Sequence, residues 1–308
     1  MDIRETFDEY KNCALCPRNC NVDRTVKPGF CRESGRLSID SALIHHGEEP
    51  CISFNGGSGT IFFTGCSLRC PFCQNMQISH NPENKKYYST AEFIDIMEGL
   101  IKKGAENINF VTPDHFLPHL IEGIKHLNSR GYRVPYVYNS SGFQSVDSLR
   151  IACEYIDIYL IDYKFADREA AAYCINNNQY PDVARDAIDF LFGKKGNLKL
   201  NPDGKAVSGV IVRHLVMPGF AENSIDVINN LFFDYGRDIF LSLMCQYTPR
   251  YLKNGFDKIN RRLTKEEYER VADHVISLGF TNGYIQEFIE GEDRYIPDFE
   301  KKSMYDEW

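Results

Sequence analysis

Gly65-Cys66-Ser67-Leu68-Arg69-Cys70-Pro71-Phe72-Cys73-Gln74-Asn75 places three cysteines at C-x3-C-x2-C spacing. The five residues before it, Thr60-Ile61-Phe62-Phe63-Thr64, are a run of β-formers. The cysteines therefore belong on a loop that leaves the C-terminal end of a buried strand. Soft thiolates ligate iron, and a loop this tight can wrap one cubane iron–sulfur cluster. Three ligands for four irons leave one iron open to a small molecule. A structural zinc loop is the plainer alternative, but zinc closes its tetrahedron with four ligands, and no further Cys or His follows before His80. Three buried cysteines without metal fit poorly on a turn that also holds Gly65, Ser67, Arg69 and Pro71.

The chain of 308 residues is 43% hydrophobic and 25% charged, an ordinary globular composition. A net charge of −8 argues against a nucleic-acid partner, which would call for a basic face. No segment has the apolar length of a membrane span, and Met1-Asp2-Ile3-Arg4-Glu5 opens without an apolar signal core, so the expectation is a cytoplasmic protein. Eleven cysteines in a reducing compartment read as metal ligands or thiols rather than disulfides.

A second cysteine group stands near the N-terminus. Cys13, Cys16, Cys20 and Cys31 follow C-x2-C-x3-C with a fourth member after Pro28-Gly29-Phe30. Four thiolates can close a zinc site or a full iron–sulfur cluster, and the spacing does not separate the two. Four free thiols are the alternative. The segment is too polar to hold a core of its own, which favours a metal.

From residue 60 onward strands and helices alternate. Strands are expected at 60–64, 107–111, 134–138, 156–161, 209–216 and 239–244, with a further one at 283–289. Ser89 with Glu92, and Thr264 with Glu267, read as capping boxes; Asp114 reads as a cap for the helix carrying Leu120, Ile121, Ile124 and Leu127. Helices are also expected at 146–153, 182–192 and 224–234. Residues 43–59 read as a turn-rich approach; His46, Glu48 and Glu49 are candidates to cover the mouth of the site, with a solvated loop the reading that residue types alone favour, and Cys51 is in packing; 253–262 read as solvated. Serial βα units imply parallel strands joined by right-handed crossovers. In such folds functional groups collect at the C-terminal strand ends. Here those ends carry Thr112 and Asp114; Asn139, Ser140 and Ser141; Asp162, Tyr163 and Lys164; Arg213 and His214; and Gln246, Tyr247 and Thr248. His115, His119 and His126 do not converge as ligands and read as surface or satisfied histidines.

C-x3-C-x2-C after a β-strand, with the aromatic Phe72 before the third cysteine, resembles the signature of the radical S-adenosylmethionine (SAM) superfamily. The continuation Phe72-Cys73-Gln74-Asn75 resembles the branch of pyruvate formate-lyase activating enzymes. Cys-Ala-Leu-Cys-Pro-Arg-Asn-Cys at 13–20 and His46-Gly-Glu-Glu-Pro50 resemble one subgroup of activase-like proteins. The resemblance spans about 13–299. It implies an α/β fold, a partial open (β/α)6 barrel over residues 43–290, with an N-terminal cysteine-rich metal-binding extension at 1–42 and a tail at 291–308. It implies a 4Fe-4S cluster on Cys66, Cys70 and Cys73 whose open iron binds SAM, and reductive cleavage of SAM to a 5′-deoxyadenosyl radical that abstracts hydrogen. Asp162-Tyr-Lys164 resembles the Asp-x-Lys that activases place near SAM. Phe72, Asn75, Thr112, Asn139 and Arg213 complete the implied SAM contacts; Thr112 stands where relatives carry Gly-Gly-Glu. The implied partners are a reductant such as flavodoxin or ferredoxin and a glycyl-radical enzyme. Two other functions stay open: a radical SAM enzyme acting on a small molecule or peptide, and an iron–sulfur electron carrier or sensor.

Overall fold

The computed structural model describes residues 3–80, 85–252, 254–291 and 295–299. Its strands, in chain order, are β1 Leu37–His45, β2 Ser58–Phe63, β3 Tyr87–Tyr88, β4 Ile108–Val111, β5 Tyr136–Ser140, β6 Ile158–Asp162, β7 Lys199–Leu200, β8 Ala206–Leu215, β9 Leu241–Met244 and β10 Gly283–Ile285. The helices are α1 Pro50–Ser53, α2 Met76–Ser79, α3 Thr90–Lys102, α4 Leu117–Ser129, α5 Val146–Ala152, α6 Arg168–Ile175, α7 Tyr180–Lys195, α8 Ala221–Tyr235 and α9 Lys265–Leu278.

Strands β2, β4, β5, β6, β8, β9 and β10 form one parallel run. The sheet ends at β10 on one side; on the other, β1 pairs antiparallel with β2 and carries β3 beyond it. These two edges do not meet, so the sheet is an open half-barrel, in agreement with the expected fold class. Period-two alternation divides its faces. Ile61, Phe63, Ile108, Phe110, Tyr136, Tyr159, Ile161 and Val212 face the helices in the main core. Phe63, Phe93, Phe110, Phe116 and Tyr136 stack there with ring centroids 5.7–6.3 Å apart, each large apolar side chain contributing about 1.5–3 kcal/mol by burial.

The concave face is different. Its lower part is apolar: Val137, Ile158, Leu160, Ile211 and Phe240 pack with Cys51 and Ile52 of α1. The short helix α1 thus plugs one end of the half-barrel. Above the plug the same face turns polar, with Asn109, Asn139, Asp162, Arg213 and Ser242 on successive strands.

Both capping boxes form: Ser89 and Thr264 accept from the amides of Glu92 and Glu267, whose carboxylates return the bond. Asp114 is not a helix cap. It lies in a 3-10 turn, Asp114–Phe116, ahead of α4, buried with its carboxylate against the Tyr138 hydroxyl at 3.3 Å. The stretch expected as a turn-rich approach contains the end of β1 and all of α1. β1 runs across residue 42, where the sequence reading drew a boundary. Asp40 and Ser41 interrupt its apolar pattern at an irregularity in the pairing, with Leu37 and Ile39 before it and Ala42, Leu43 and Ile44 after it, and this hides the strand. Helix α6 was not anticipated, although Asp167 caps it through the Ala170 amide. Residues 254–262 are not wholly solvated: Ile259 is fully buried and its carbonyl accepts the Tyr247 hydroxyl at 2.7 Å. Of the expected tail, 292–294 and 300–308 lie outside the described residues, as does Lys253.

The turn after β5 brings Gly142 against the end of β6. Its φ is +79°, and a Cβ there would stand 2.1 Å from the Asp162 carbonyl oxygen. Gly142→Ala combines a left-handed conformation with a backbone clash, so it is expected to cost about 1–3 kcal/mol. Thermal or urea unfolding measures it; an unchanged melting temperature contradicts this account of the turn.

Candidate active site

Four side chains from three places in the chain form a buried charged network at the top of the concave face. Asp162, ending β6, and Arg213, on β8, are cross-strand partners in register. The Arg213 Nε donates to Asp162 Oδ1 at 3.0 Å, while Lys164 holds the other carboxylate oxygen. The Arg213 Nη1 also lies 3.5 Å from Glu48 Oε2. Glu48 accepts from Asn109 Nδ2 at 2.8 Å and from Asn139 Nδ2 at 3.3 Å, and Asn139 Oδ1 accepts from Arg213 Nη2 at 2.5 Å. Glu48, Asp162, Lys164 and Arg213 side chains are all at most 16% exposed.

Burial sets the electrostatics. It would raise the Asp162 carboxyl, but the Lys164 and Arg213 charges win and hold it below the ordinary value. Glu48 is raised by burial, with Arg213 opposing. Glu49, on the same turn, is likewise raised by burial, and its Oε2 is a buried oxygen without a hydrogen-bond partner.

This network forms one wall of a cavity of about 220 Å³. The opposite wall is the cysteine loop. Cys66, Phe72, Cys73 and Asn75 line it there, with Thr112, Asn139, Asp162, Lys164 and Arg213 across. Every expected SAM-contact residue therefore borders one space, together with Cys66 and Cys73. Cys70 is buried behind the loop. Thr112 sits at φ +56°, an unfavourable conformation for a β-branched residue, and its amide donates to the Asn139 carbonyl at 2.9 Å. The strand-end list also contained groups that go elsewhere. His214 alternates away from Arg213, is fully buried and pairs with the Tyr163 carbonyl at 2.7 Å. Asp114 points into the protein beside Tyr138. His115 and His119 are buried against the Thr64 carbonyl and the Tyr10 hydroxyl, each at 2.7 Å, and His126 pairs with Glu122.

The sequence reading favoured a solvated loop for Glu48 over a cover for the mouth of the site; the structure puts it in the network, carried inward beyond the end of strand β1. Gln74 and Phe62 also line the cavity, and Tyr295 and Pro297 cover part of it from the C-terminal segment.

The loop suits an iron–sulfur group. The Leu68 and Arg69 amides donate to the Cys66 sulfur at 3.4 and 3.5 Å, and the Ser79 hydroxyl to the Cys73 sulfur at 3.3 Å. Burial pushes the Cys66 thiol up to about 12 and raises Cys70 and Cys73 as well. Thiolates placed this deep need cations, and metal binding supplies them. Among the described residues no three Cys, His, Asp or Glu side chains converge on a single-ion geometry. A cubane binds its thiolates on separate irons, so it holds them wider apart than one tetrahedral ion does.

Residues 60–231 match the family described as the Radical SAM superfamily. The chain is 31% identical over 274 residues to the uncharacterized protein MJ0674 of Methanocaldococcus jannaschii, covering 86% of this chain and 74% of that one. Among solved structures it resembles HydG, a maturase of the FeFe-hydrogenase, at 13% identity and TM-score 0.49, over 72% of this chain and 50% of HydG. It also resembles SuiB of Streptococcus suis, at 11% identity and TM-score 0.48, over 75% and 48%. The chain thus spans about half the length of these solved structures. Among the described residues no helix is long and apolar enough to cross a membrane.

Arg213 is the cation that two buried carboxylates share. Arg213→Met leaves Glu48 and Asp162 without it and is expected to destabilise the fold by about 3–5 kcal/mol. The pH profile gives the sign. A carboxyl depressed in the folded state stabilises above its unfolded pKa, near 4, and that stability is lost as pH falls through the lower folded value. Arg213→Met removes that acid-labile share, so its stability deficit against wild type should be largest near neutral pH and shrink as pH falls below about 4. Superimposable acid-unfolding curves would contradict the pairing.

Proposed function

The chain belongs to the radical SAM superfamily, whose members use a 4Fe-4S cluster and SAM, and from that premise we propose that Cys66, Cys70 and Cys73 ligate the cluster while the adjoining cavity binds SAM. The observation that carries the reading is the shared cavity: two of the three cysteines and a buried cation–carboxylate network face one another across it. When bound, the cluster and SAM supply a 5′-deoxyadenosyl radical on one-electron reduction. The chain's own residues bind and orient. Asp162 presents a carboxylate whose pKa the Lys164 and Arg213 charges hold down, and the same two side chains fix its position. Asn139 and Thr112 offer amide and hydroxyl partners to a ribose-bearing ligand. Phe72, packed on Tyr247 at 5.9 Å between centroids, supplies an apolar surface beside the cysteines. An electron carrier or sensor needs no such cavity.

For the substrate we propose a glycine-containing loop of a partner polypeptide, as in a glycyl-radical activase, with flavodoxin or ferredoxin as reductant. In support, a second cavity of about 290 Å³ shares Glu48, Arg213, Met244 and Gln246 with the first and continues toward Tyr284–Glu287 at the sheet edge. No residue of the cysteine loop lines this second space, so it lies beside the cofactor site rather than within it. A small molecule or peptide is the second reading, favoured by a different observation: Tyr295 and Pro297 cover the mouth, and the Phe299 amide donates to the Gln77 side chain at 3.0 Å.

Cys66→Ala, Cys70→Ala and Cys73→Ala are each expected to abolish formation of 5′-deoxyadenosine from SAM. Lys164→Ala should weaken SAM binding about tenfold or more, the cost of one charged hydrogen bond, with iron content kept. Persistent SAM cleavage in the triple alanine variant would contradict the assignment. Electron paramagnetic resonance of reduced enzyme, SAM and a glycyl-radical partner should show a glycine-centred radical. Turnover of a small molecule with no protein radical would favour the second reading.

A further inference from the structure

The N-terminal cysteines are not consumed by the reading above. The chain from Asp8 to Gly35 is folded back on itself without regular secondary structure beyond one turn. Main-chain bonds tie it: Cys13 amide to Val22 carbonyl at 3.1 Å, Asn21 amide to Cys13 carbonyl at 3.0 Å, and Gly35 amide to Arg24 carbonyl at 2.8 Å. Asn19 and Asn21, on either side of Cys20, and Arg32, after Cys31, all have positive φ. These turns bring separated cysteines to one place. The Cys20 and Cys31 sulfurs both lie beside Gly29, about 3.5 Å from where its Cβ would stand. Cys13, Cys16 and Cys31 are buried, and Cys20 is partly so.

Arg24 stands in the middle of this segment and is completely buried. Its guanidinium donates to the carbonyls of Glu33, Ser34 and His115, and to the Cys13 sulfur at 3.8 Å. Its plane lies 4.5 Å over the Tyr10 ring. Among the described residues none of these partners is a carboxylate. The buried Glu33 carboxylate feels the Arg24 charge but is bonded to Lys85 and Thr64 instead, and a fully buried cation that no anion contacts is costly. A thiolate-ligated metal centre carries net negative charge, and its sulfurs are the groups placed to meet this cation.

The segment also abuts the first cysteine loop. The Cys66 amide donates to the Cys31 carbonyl at 3.3 Å, and Arg18 Nε donates to the Ser67 carbonyl at 2.9 Å. The four sulfurs do not converge on a single-ion geometry, the same condition as the first loop. We propose that Cys13, Cys16, Cys20 and Cys31 hold a second iron–sulfur cluster, closed by four thiolates, charge-balanced by Arg24 and seated directly behind the Cys66–Cys73 loop. The site stands on its own residues and does not depend on SAM binding.

Iron and sulfide counts after anaerobic reconstitution test it, alongside zinc analysis of the protein as purified. The wild-type chain should hold twice the iron of a single cubane. The Cys66/Cys70/Cys73→Ala triple variant should keep half of the wild-type iron, and a Cys13/Cys16/Cys20/Cys31→Ser variant should keep the other half. Mössbauer spectra of wild type, which need no variant to fold, should show two clusters, one with a distinct open iron and one without. Loss of all iron from the triple variant, a wild-type count of one cubane, or stoichiometric zinc at the N-terminal cysteines would each overturn the proposal. Full wild-type iron in the triple variant would instead overturn the assignment of the first loop.

Discussion

A cation held between carboxylates on the inside of an open sheet is the interaction on which this architecture turns. A parallel half-barrel leaves a concave face that must be filled. At its lower end α1 fills it with Cys51 and Ile52. At its upper end the strands carry Asn109, Asn139, Asp162 and Arg213, which no apolar plug could cover without stranding charge. Glu48 descends from the end of β1 and meets them. Every member of the network then has a partner, but the partners leave a cavity between them and the cysteine loop. The polar lining is stable because it is paired, and usable because it is not packed shut.

The cysteine loop depends on a second set of contacts, made by main chain. The Gly65 amide donates to the Ile78 carbonyl at 2.9 Å, closing the loop onto α2. Gly65 has φ +74°, and a Cβ there would stand 2.5 Å from the Cys31 carbonyl oxygen, so the strand exit and the N-terminal segment pack backbone to backbone. Glu33, fully buried, accepts from Thr64 at 2.9 Å and pairs with Lys85. Residues 31–33 therefore brace the loop from behind while the charged network faces it from the front.

Much of this was legible in the sequence, because the informative signals are local. The parallel strands appear as short apolar runs at regular intervals, and each was placed to within three residues except β10, which ends four residues before the expected 289. The capping boxes at Ser89 and Thr264 are set by residues three apart. Asn139, Asp162 and Arg213 were found by one rule, that function gathers at strand ends. That rule has no sense of which face a residue takes, so it gathered His214 and Asp114 as well; alternation and burial send both away from the cavity. Glu48 and β1 escaped because their significance is nonlocal. An acidic turn next to a polar strand looks solvated until the antiparallel pairing of β1 with β2 carries it over the concave face. The buried Arg24 escaped for a similar reason, since its carbonyl partners at Glu33, Ser34 and His115 are not adjacent to it in sequence.

The central claim is that the cavity holds SAM against a cluster on Cys66, Cys70 and Cys73. Electron–nuclear double resonance on the reduced protein, with SAM isotopically labelled at its amino nitrogen and carboxylate, reads that contact directly. The account predicts hyperfine coupling of both labels to the cluster, retained in the variant lacking the four N-terminal cysteines. Saturating SAM with no coupling to either label would contradict it.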